Sequence, residues 1–162
     1  MLEIKTLHLT NALSITLPFI DSAGTPIPIN LGAIIGELDS CILKNMANPA
    51  GPLIMKTTLE WTNSDSRSFV TYIRQVDSFI PNLVSPFTME ATKDVLNCIY
   101  VRYEGPEKWL LSAFREAELM VKDTKISLTG EIYTIFVSHE DETDLVVTDL
   151  YIPTSDLPKN MK

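Results

Sequence analysis

Apolar and polar residues alternate along the first stretch of the chain, with Leu7, Leu9, Ile15 and Leu17 on the apolar phase. A period of two with β-branched residues predicts one or two strands over residues 3–20, with Asn11-Ala12 as a turn candidate. Asp21 to Pro28 carries Gly24, Pro26 and Pro28 and reads as a loop. The period then changes. Leu31, Ile34, Ile35, Leu38 and Ile42 recur at helical spacing, which predicts a helix from Leu31 to about Ala47 with Asn30 as its N-cap. Asn48-Pro49 should end it, because a residue before proline disfavours helical dihedrals. Gly32 and Gly36 sit four apart on this helix and each costs roughly 1 kcal/mol relative to alanine. Close approach of a neighbouring element is the expected reason for them.

Two apolar, β-branched runs follow, over residues 51–61 and 68–77, with a polar turn from Thr62 to Arg67 between them. They predict a β-hairpin. Residues 78–94, with Pro81 and Pro86, read as a connector. The second half begins with a strand over 95–104, and Gly105-Pro106 then opens a helix running to about Lys122. Leu110, Ala113, Phe114, Ala117 and Val121 share one helical face, while Glu107 and Lys122 suit the two ends of the helix dipole. A second hairpin is expected from strands 129–137 and 144–152, an acidic turn from Ser138 to Thr143, and Pro153 as the terminator.

Both halves therefore read strand, helix, strand, strand. The hairpins open similarly, at Gly51-Pro52-Leu53-Ile54 and Gly130-Glu131-Ile132-Tyr133, which points to an internal duplication. The predicted fold class is α+β: two pseudo-symmetric β-α-β-β units, mainly antiparallel sheets, and two principal helices around a central groove. The expected organisation is a single domain over 1–154, with repeats at about 3–77 and 95–154 and a flexible tail over 155–162.

Composition narrows the function. The chain has 162 residues, 45% of them hydrophobic, and a net charge of −8. Nucleic acid binding needs clustered Lys and Arg to displace counterions, and there is no basic stripe, so a direct nucleic acid partner is not expected. An acidic surface suits a cationic ligand or a basic protein partner. Cys41 and Cys98 lie far apart in apolar stretches and read as buried, reduced thiols. The start of the chain lacks a basic region followed by an apolar core, and no apolar run approaches bilayer length, so the cytoplasm is the expected location and a membrane is not a partner.

Alternation along 129–137 puts Glu131, Tyr133, Ile135 and Val137 on one strand face. A carboxylate on an apolar, aromatic surface suits selection of a lipophilic cation, and it could also serve as a general base. Trp109 and Tyr103 flank the start of the second helix, and Trp61 and Tyr72 lie on the first hairpin. Such rings stack flat ligands or hold cations, although core packing is their commoner role. His139 stands in the turn Ser138-His139-Glu140-Asp141-Glu142, which lacks the glycine and spacing of a calcium loop and reads as a solvated acidic turn. Gly32-Ala33-Ile34-Ile35-Gly36 lacks the spacing of a dinucleotide fingerprint. No phosphate loop or nucleophile elbow is present, and neither a cofactor nor a metal is expected.

Three blocks in the second half carry a resemblance. Tyr103-Glu104-Gly105-Pro106, Gly130-Glu131-Ile132-Tyr133 and Thr148-Asp149-Leu150-Tyr151-Ile152-Pro153 resemble, in order and spacing over residues 95–154, the gyrase-inhibitor-like family. That family is also known as the effector-binding domain of AraC-type and MerR-type regulators. The resemblance implies paired β-α-β-β units around a groove that takes hydrophobic, often cationic, small molecules, with Glu131 at the position that faces the ligand. Asp149 departs from the pattern, standing where the last strand often has glutamate, and the first half lacks the motifs. With no helix-turn-helix, the expectation is a stand-alone binder rather than a transcription factor. Its candidate ligand residues are Glu131, Tyr133, Trp109, Tyr103 and Trp61. A small hydrolase acting through Glu131 and a protein-binding or inhibitory module are the alternatives. Ligand identity and oligomeric state stay open.

Overall fold

The computed structural model describes residues 3–18, 30–62, 65–122, 124–140 and 142–156. The predicted loop from Asp21 to Pro28 and the tail beyond 156 lie outside the described residues. The chain forms β1 (Glu3–Pro18), α1 (Leu31–Lys44), β2 (Ile54–Thr62), β3 (Asp65–Gln75) and β4 (Phe87–Pro106), then a 3₁₀ turn (Glu107–Trp109), α2 (Leu110–Lys122), β5 (Ser127–Leu128), β6 (Glu131–Glu140) and β7 (Leu145–Asp156). It divides into an N-terminal unit, His8–Asp94, and a C-terminal unit made of Met1–Leu7 and Val95–Lys162.

In the N-terminal unit, β3 pairs antiparallel with β1 on one side and β2 on the other, in registers such as Ile15↔Tyr72 and Ile54↔Ile73. Val70, Tyr72, Ile73, Leu9, Leu13, Ile15 and Ile54 are buried. β1 is one strand, not two. Asn11 adopts a φ of 46°, a left-handed value that asparagine tolerates, and its carbonyl accepts Val76 N–H at 3.1 Å, so the expected turn is only a local kink.

Helix α1 starts as its sequence dictates. Asn30 Oδ1 accepts Ala33 N–H at 3.1 Å, and Ile34, Leu38, Cys41 and Ile42 form the buried stripe. The helix stops earlier than expected, at Lys44. Asn45 Nδ2 donates to the Cys41 carbonyl at 2.8 Å, Met46 turns left-handed at φ 54°, and Ala47 N–H returns to Ile42 O at 3.1 Å. This closes the helix in the manner of a left-handed C-terminal cap, ahead of Asn48-Pro49. Leu31 is exposed, and so are both glycines. A Cβ on Gly36 would meet nothing within 4 Å, so close packing is not what this glycine serves.

In the C-terminal unit, β7 is the central strand. It pairs antiparallel with β4 on one side, from Cys98↔Pro153 to Pro106↔Leu145, and with β6 and β5 on the other. Ile99, Ile152 and Ile126 form one core with Ala117 and Val121 of α2, and Ile4, Val101, Leu128 and Ile132 pack against it. Apart from the two-residue strand β5, each unit thus has the core order β-α-β-β, with antiparallel strands and one principal helix.

Several expected boundaries move. Strand β4 begins at Phe87, so residues 87–94 of the expected connector are strand. Ser14 Oγ to Thr88 Oγ1 at 2.9 Å and His8 Nδ1 to Asp94 Oδ1 at 2.6 Å tie this part to β1. Pro106 is the last residue of β4 rather than the first of a helix. Gly105 and Pro106 are still paired with Val146 and Leu145, and Glu107 N–H donates to Asp144 O at 3.0 Å. The second hairpin is longer than expected. Ser138, His139 and Glu140 remain paired in β6, with an irregularity between Phe136 and Ser138, and β7 runs through Pro153 to Asp156. Pro153 is tolerated because the sheet uses its carbonyl, which accepts Thr129 N–H at 3.2 Å.

Gly36→Ala is expected to stabilise the protein by about 0.5–1 kcal/mol, since helix propensity rises and nothing obstructs the new methyl group. Urea unfolding at constant m-value measures it; a loss of stability would mean that Gly36 has a conformational role absent from this structure.

Candidate functional site: the tyrosine face of the C-terminal unit

Pairing in the C-terminal unit sorts side chains onto two faces. Ile99, Val101, Ile132 and Ile152 point toward α2. The residues between them point the other way. Because Tyr100 is opposite Tyr151 and Tyr151 is opposite Tyr133, three tyrosines from β4, β7 and β6 lie in one row. The next row is Arg102, Asp149 and Ile135. Glu131, two residues before Tyr133, completes the face on β6.

The face is ordered by a polar network. Asp149 Oδ1 accepts Arg102 Nε at 2.8 Å and Asp149 Oδ2 accepts Arg102 Nη2 at 3.0 Å, a bidentate pair. The Tyr100 hydroxyl donates to Asp149 Oδ1 at 2.8 Å. The Tyr100 and Tyr151 rings pack with centroids 5.2 Å apart at 59°, a tilted arrangement favoured by ring quadrupoles. Lys5, from the first residues of β1, places Nζ 3.6 Å from the Tyr100 centroid and 3.1 Å from Glu3 Oε1. Tyr133 is 1% exposed, whereas Tyr100, Tyr151 and Glu131 are half-buried and within reach of solvent, as are Arg102 and Lys5.

Charge states follow from these contacts. The Arg102 guanidinium holds the Asp149 carboxyl below the usual carboxylate range, with help from the Tyr100 hydroxyl, against the opposing effect of burial. Burial raises the Tyr100 and Tyr151 hydroxyls, so both are neutral near pH 7. Cys98 lies on the same face and is pushed up to about 11, first by burial and further by the Glu131 charge. Burial also raises Cys41, and both cysteines are free, protonated thiols rather than nucleophiles. The face can therefore offer π-surface, neutral hydroxyls and carboxylates to a cation. It offers no activated nucleophile of the cysteine kind.

The other residues singled out in the sequence lie elsewhere. Tyr103 is on the opposite face from Tyr133, paired with Thr148, and its hydroxyl donates to Pro106 O at 2.6 Å. It fills the space over Gly105, where a Cβ would come within 2.8 Å of the Tyr103 hydroxyl. Trp109 stands 55% exposed on the 3₁₀ turn, with Lys108 Nζ 5.6 Å from its ring. Trp61 belongs to β2, and its side chain is outside the described residues. Tyr72 is buried in the N-terminal unit. Val137 leaves the Glu131 face, because the irregularity after Phe136 interrupts the alternation. Conversely, Tyr100, Tyr151, Arg102, Asp149 and Lys5 form the face although they were not singled out as ligand residues. Tyr151 and Asp149 belong to the block Thr148-Asp149-Leu150-Tyr151-Ile152-Pro153. Lys5 had no local signal.

Three other places bring functional groups together. In the N-terminal unit, Gly36, Glu37, Cys41, Lys44 and Phe87 border an open cleft of ≈ 700 Å³. A smaller cleft of ≈ 160 Å³ is lined by Thr16, Lys56, Thr71, Thr88, Glu90 and Lys93. In the C-terminal unit, Glu107, His139 and Asp144 bring donor atoms within 4.8 Å of one another, all exposed, with His139 Nε2 3.5 Å from a carboxylate oxygen of each. This is a solvent-facing polar cluster. No helix among the described residues is long and apolar enough to cross a membrane.

No family model and no curated protein matches the sequence. Solved structures do. The C-terminal domain of EcmrR superposes with a TM-score of 0.59 at 13% identity, covering 97% of this chain and 99% of that one. Against the EcmrR chain in its DNA complex the TM-score is 0.64 at 13% identity; 96% of this chain is covered, and it spans 58% of that longer chain. SAV2435 bound to tetraphenylphosphonium matches at 0.55 and 10% identity, with 94% of both chains covered. A structure described as a hydrolase from Listeria innocua matches at 0.56 and 13%, covering 94% of this chain and 92% of that one. At these identities the likeness establishes the fold.

Asp149→Asn is expected to cost about 1.5 kcal/mol at pH 7, the low end for hydrogen bonds to charged groups, because half of Arg102 is exposed. The Asp149 pKa is lowered in the folded state, so its contribution is complete above the unfolded value of about 4 and is lost as pH falls through the folded value. The stability gap between wild type and variant should be constant from pH 7 to about 5 and close below about 4. Urea unfolding across this range checks it; a gap that persists undiminished at pH 2 would overturn the ion-pair assignment.

Proposed function

Given that the chain carries the gyrase-inhibitor-like effector-binding fold, we propose that it binds a hydrophobic cation on the tyrosine face of its C-terminal unit. The observation that carries this reading is the row of Tyr100, Tyr151 and Tyr133 beside the Glu131 carboxylate. Tilted rings offer apolar area and a negative quadrupole at the same place, and a lipophilic cation uses both. A small hydrated ion cannot recover its hydration energy on such a surface, and a neutral aromatic gains area alone. Glu131 supplies charge complementarity, Tyr100 and Tyr151 supply ring surface, and Tyr133 supports them from beneath. That SAV2435 is described in complex with tetraphenylphosphonium agrees with this ligand class. Turnover through a cysteine is not part of this reading, because Cys98 is a buried, protonated thiol.

Hydrolysis through Glu131 is the second reading, supported by the Listeria innocua structure described as a hydrolase. Its mark would be turnover of an electrophile that Glu131→Gln abolishes with the fold intact.

Tetraphenylphosphonium should raise the melting temperature of the wild type by mass action. Glu131→Gln should weaken that binding by more than about 1 kcal/mol, the scale of a charge-assisted contact, while leaving a neutral triaryl compound unaffected. Equal cation affinity in the two proteins would remove Glu131 from the site, and absence of a shift with any cation would favour a protein partner instead.

A further inference from the structure

The Tyr100 ring already holds a cation. Lys5 Nζ is 3.6 Å from its centroid, closer than the roughly 6 Å within which such contacts are significant. The ring is fixed in that attitude from two sides, by the hydroxyl bond to Asp149 at 2.8 Å and by packing on Tyr151 at 5.2 Å. Arg102, the other cation on this face, is engaged by two bonds to Asp149. Lys5 is restrained more loosely. Besides the ring it has Glu3 at 3.1 Å, and the two side chains are 40% and 59% exposed. An exposed ion pair of that kind contributes little, so the ammonium leaves the ring at small cost and regains water.

We infer that Lys5 is a tethered cation occupying the ring face of Tyr100, and that a lipophilic cation binds by displacing it. The inference rests on the proposed function and adds the residue that sets its threshold. An ammonium is compact and strongly hydrated, whereas a phosphonium or aryl-ammonium charge is diffuse and weakly hydrated. Exchange therefore favours the ligand whose charge gives up least water. Displacement also frees the Glu3 carboxylate to compensate the incoming charge. A neutral aromatic gains nothing from the exchange, because it cannot replace Lys5 at the ring electrostatically. Lys5 thus acts as a selectivity filter for charge density rather than as a ligand contact.

The test compares wild type, K5M and K5R by titration calorimetry with tetraphenylphosphonium and neutral triphenylphosphine oxide. Methionine keeps a long apolar stem without the charge, and K5Q serves the same comparison if K5M does not fold. Tetraphenylphosphonium should bind K5M about two- to fivefold more tightly than wild type, the equivalent of one exposed cation–π contact. K5R should bind no more tightly than wild type, and the phosphine oxide should gain less than the cation in K5M, because the displaced ammonium repels only a charged ligand. Equal, measurable cation binding by wild type and K5M overturns the role of Lys5 and leaves the proposed function standing. Weaker binding by K5M overturns it too, because Lys5 would then be supporting the face. An equal gain for both compounds reduces Lys5 to a steric obstacle and overturns the charge exchange. No binding by any of the proteins overturns both readings.

Discussion

The register of β7 between its two neighbours is the constraint on which the C-terminal unit depends. Val146, Thr148, Leu150 and Ile152 are buried, while Val147, Asp149 and Tyr151 alternate with them on the other face. The side-chain period of a strand is two, so a slip by one residue would send Tyr151 and Asp149 into the core under α2 and expel Leu150 and Ile152. The buried isoleucines of β4 and β7, with Ala117 and Val121 of α2, therefore fix more than stability. They decide that Tyr100, Tyr151 and Tyr133 meet in a row.

Polar contacts then give that row a defined attitude. Asp149 is shared between the Arg102 fork and the Tyr100 hydroxyl, so one carboxylate orients a guanidinium and a ring together. The aspartate side chain reaches both of these partners on the adjacent strand. The tilt of Tyr100 on Tyr151 follows, and with it the place where Lys5 rests. The site is thus built outward from the core: apolar burial sets register, register sets the tyrosine row, and ion pairing sets ring orientation. Its outermost layer, Lys5 and Glu3, is held by an exposed ion pair, and the proposed exchange would act on this layer.

Much of this was legible locally. The α1 stripe, the Asn30 cap, both hairpins and the β-α-β-β order each rest on spacing within one element. The errors share a cause as well. Pro86 was read as part of a connector, Pro106 as the first residue of a helix and Pro153 as a terminator, yet β4 starts directly after Pro86, runs through Pro106, and Pro153 lies inside β7. Proline lacks a donor, but whether a donor is needed at that point depends on the neighbouring strand. Asn11 and Met46 show the same limit, since one left-handed residue kinks a strand and the other closes a helix.

The candidate site divides along the same line. Glu131 and Tyr133 could be placed on one face from the sequence, because alternation within a strand is a local property. Tyr103 could not be told from Tyr100. They are three residues apart, and only pairing with β7 shows that Tyr100 joins Tyr133 while Tyr103 turns to the other face and covers Gly105. Lys5 was invisible for the same reason, being separated from Tyr100 by most of the chain. By itself the sequence determined the main elements, their order, the acidic balance and one charged position on an aromatic strand, all encoded in short-range spacing and composition. Only the tertiary structure decided which rings meet, which carboxylate orients them and which cation rests on them, because strand register is set by burial of side chains far apart along the chain.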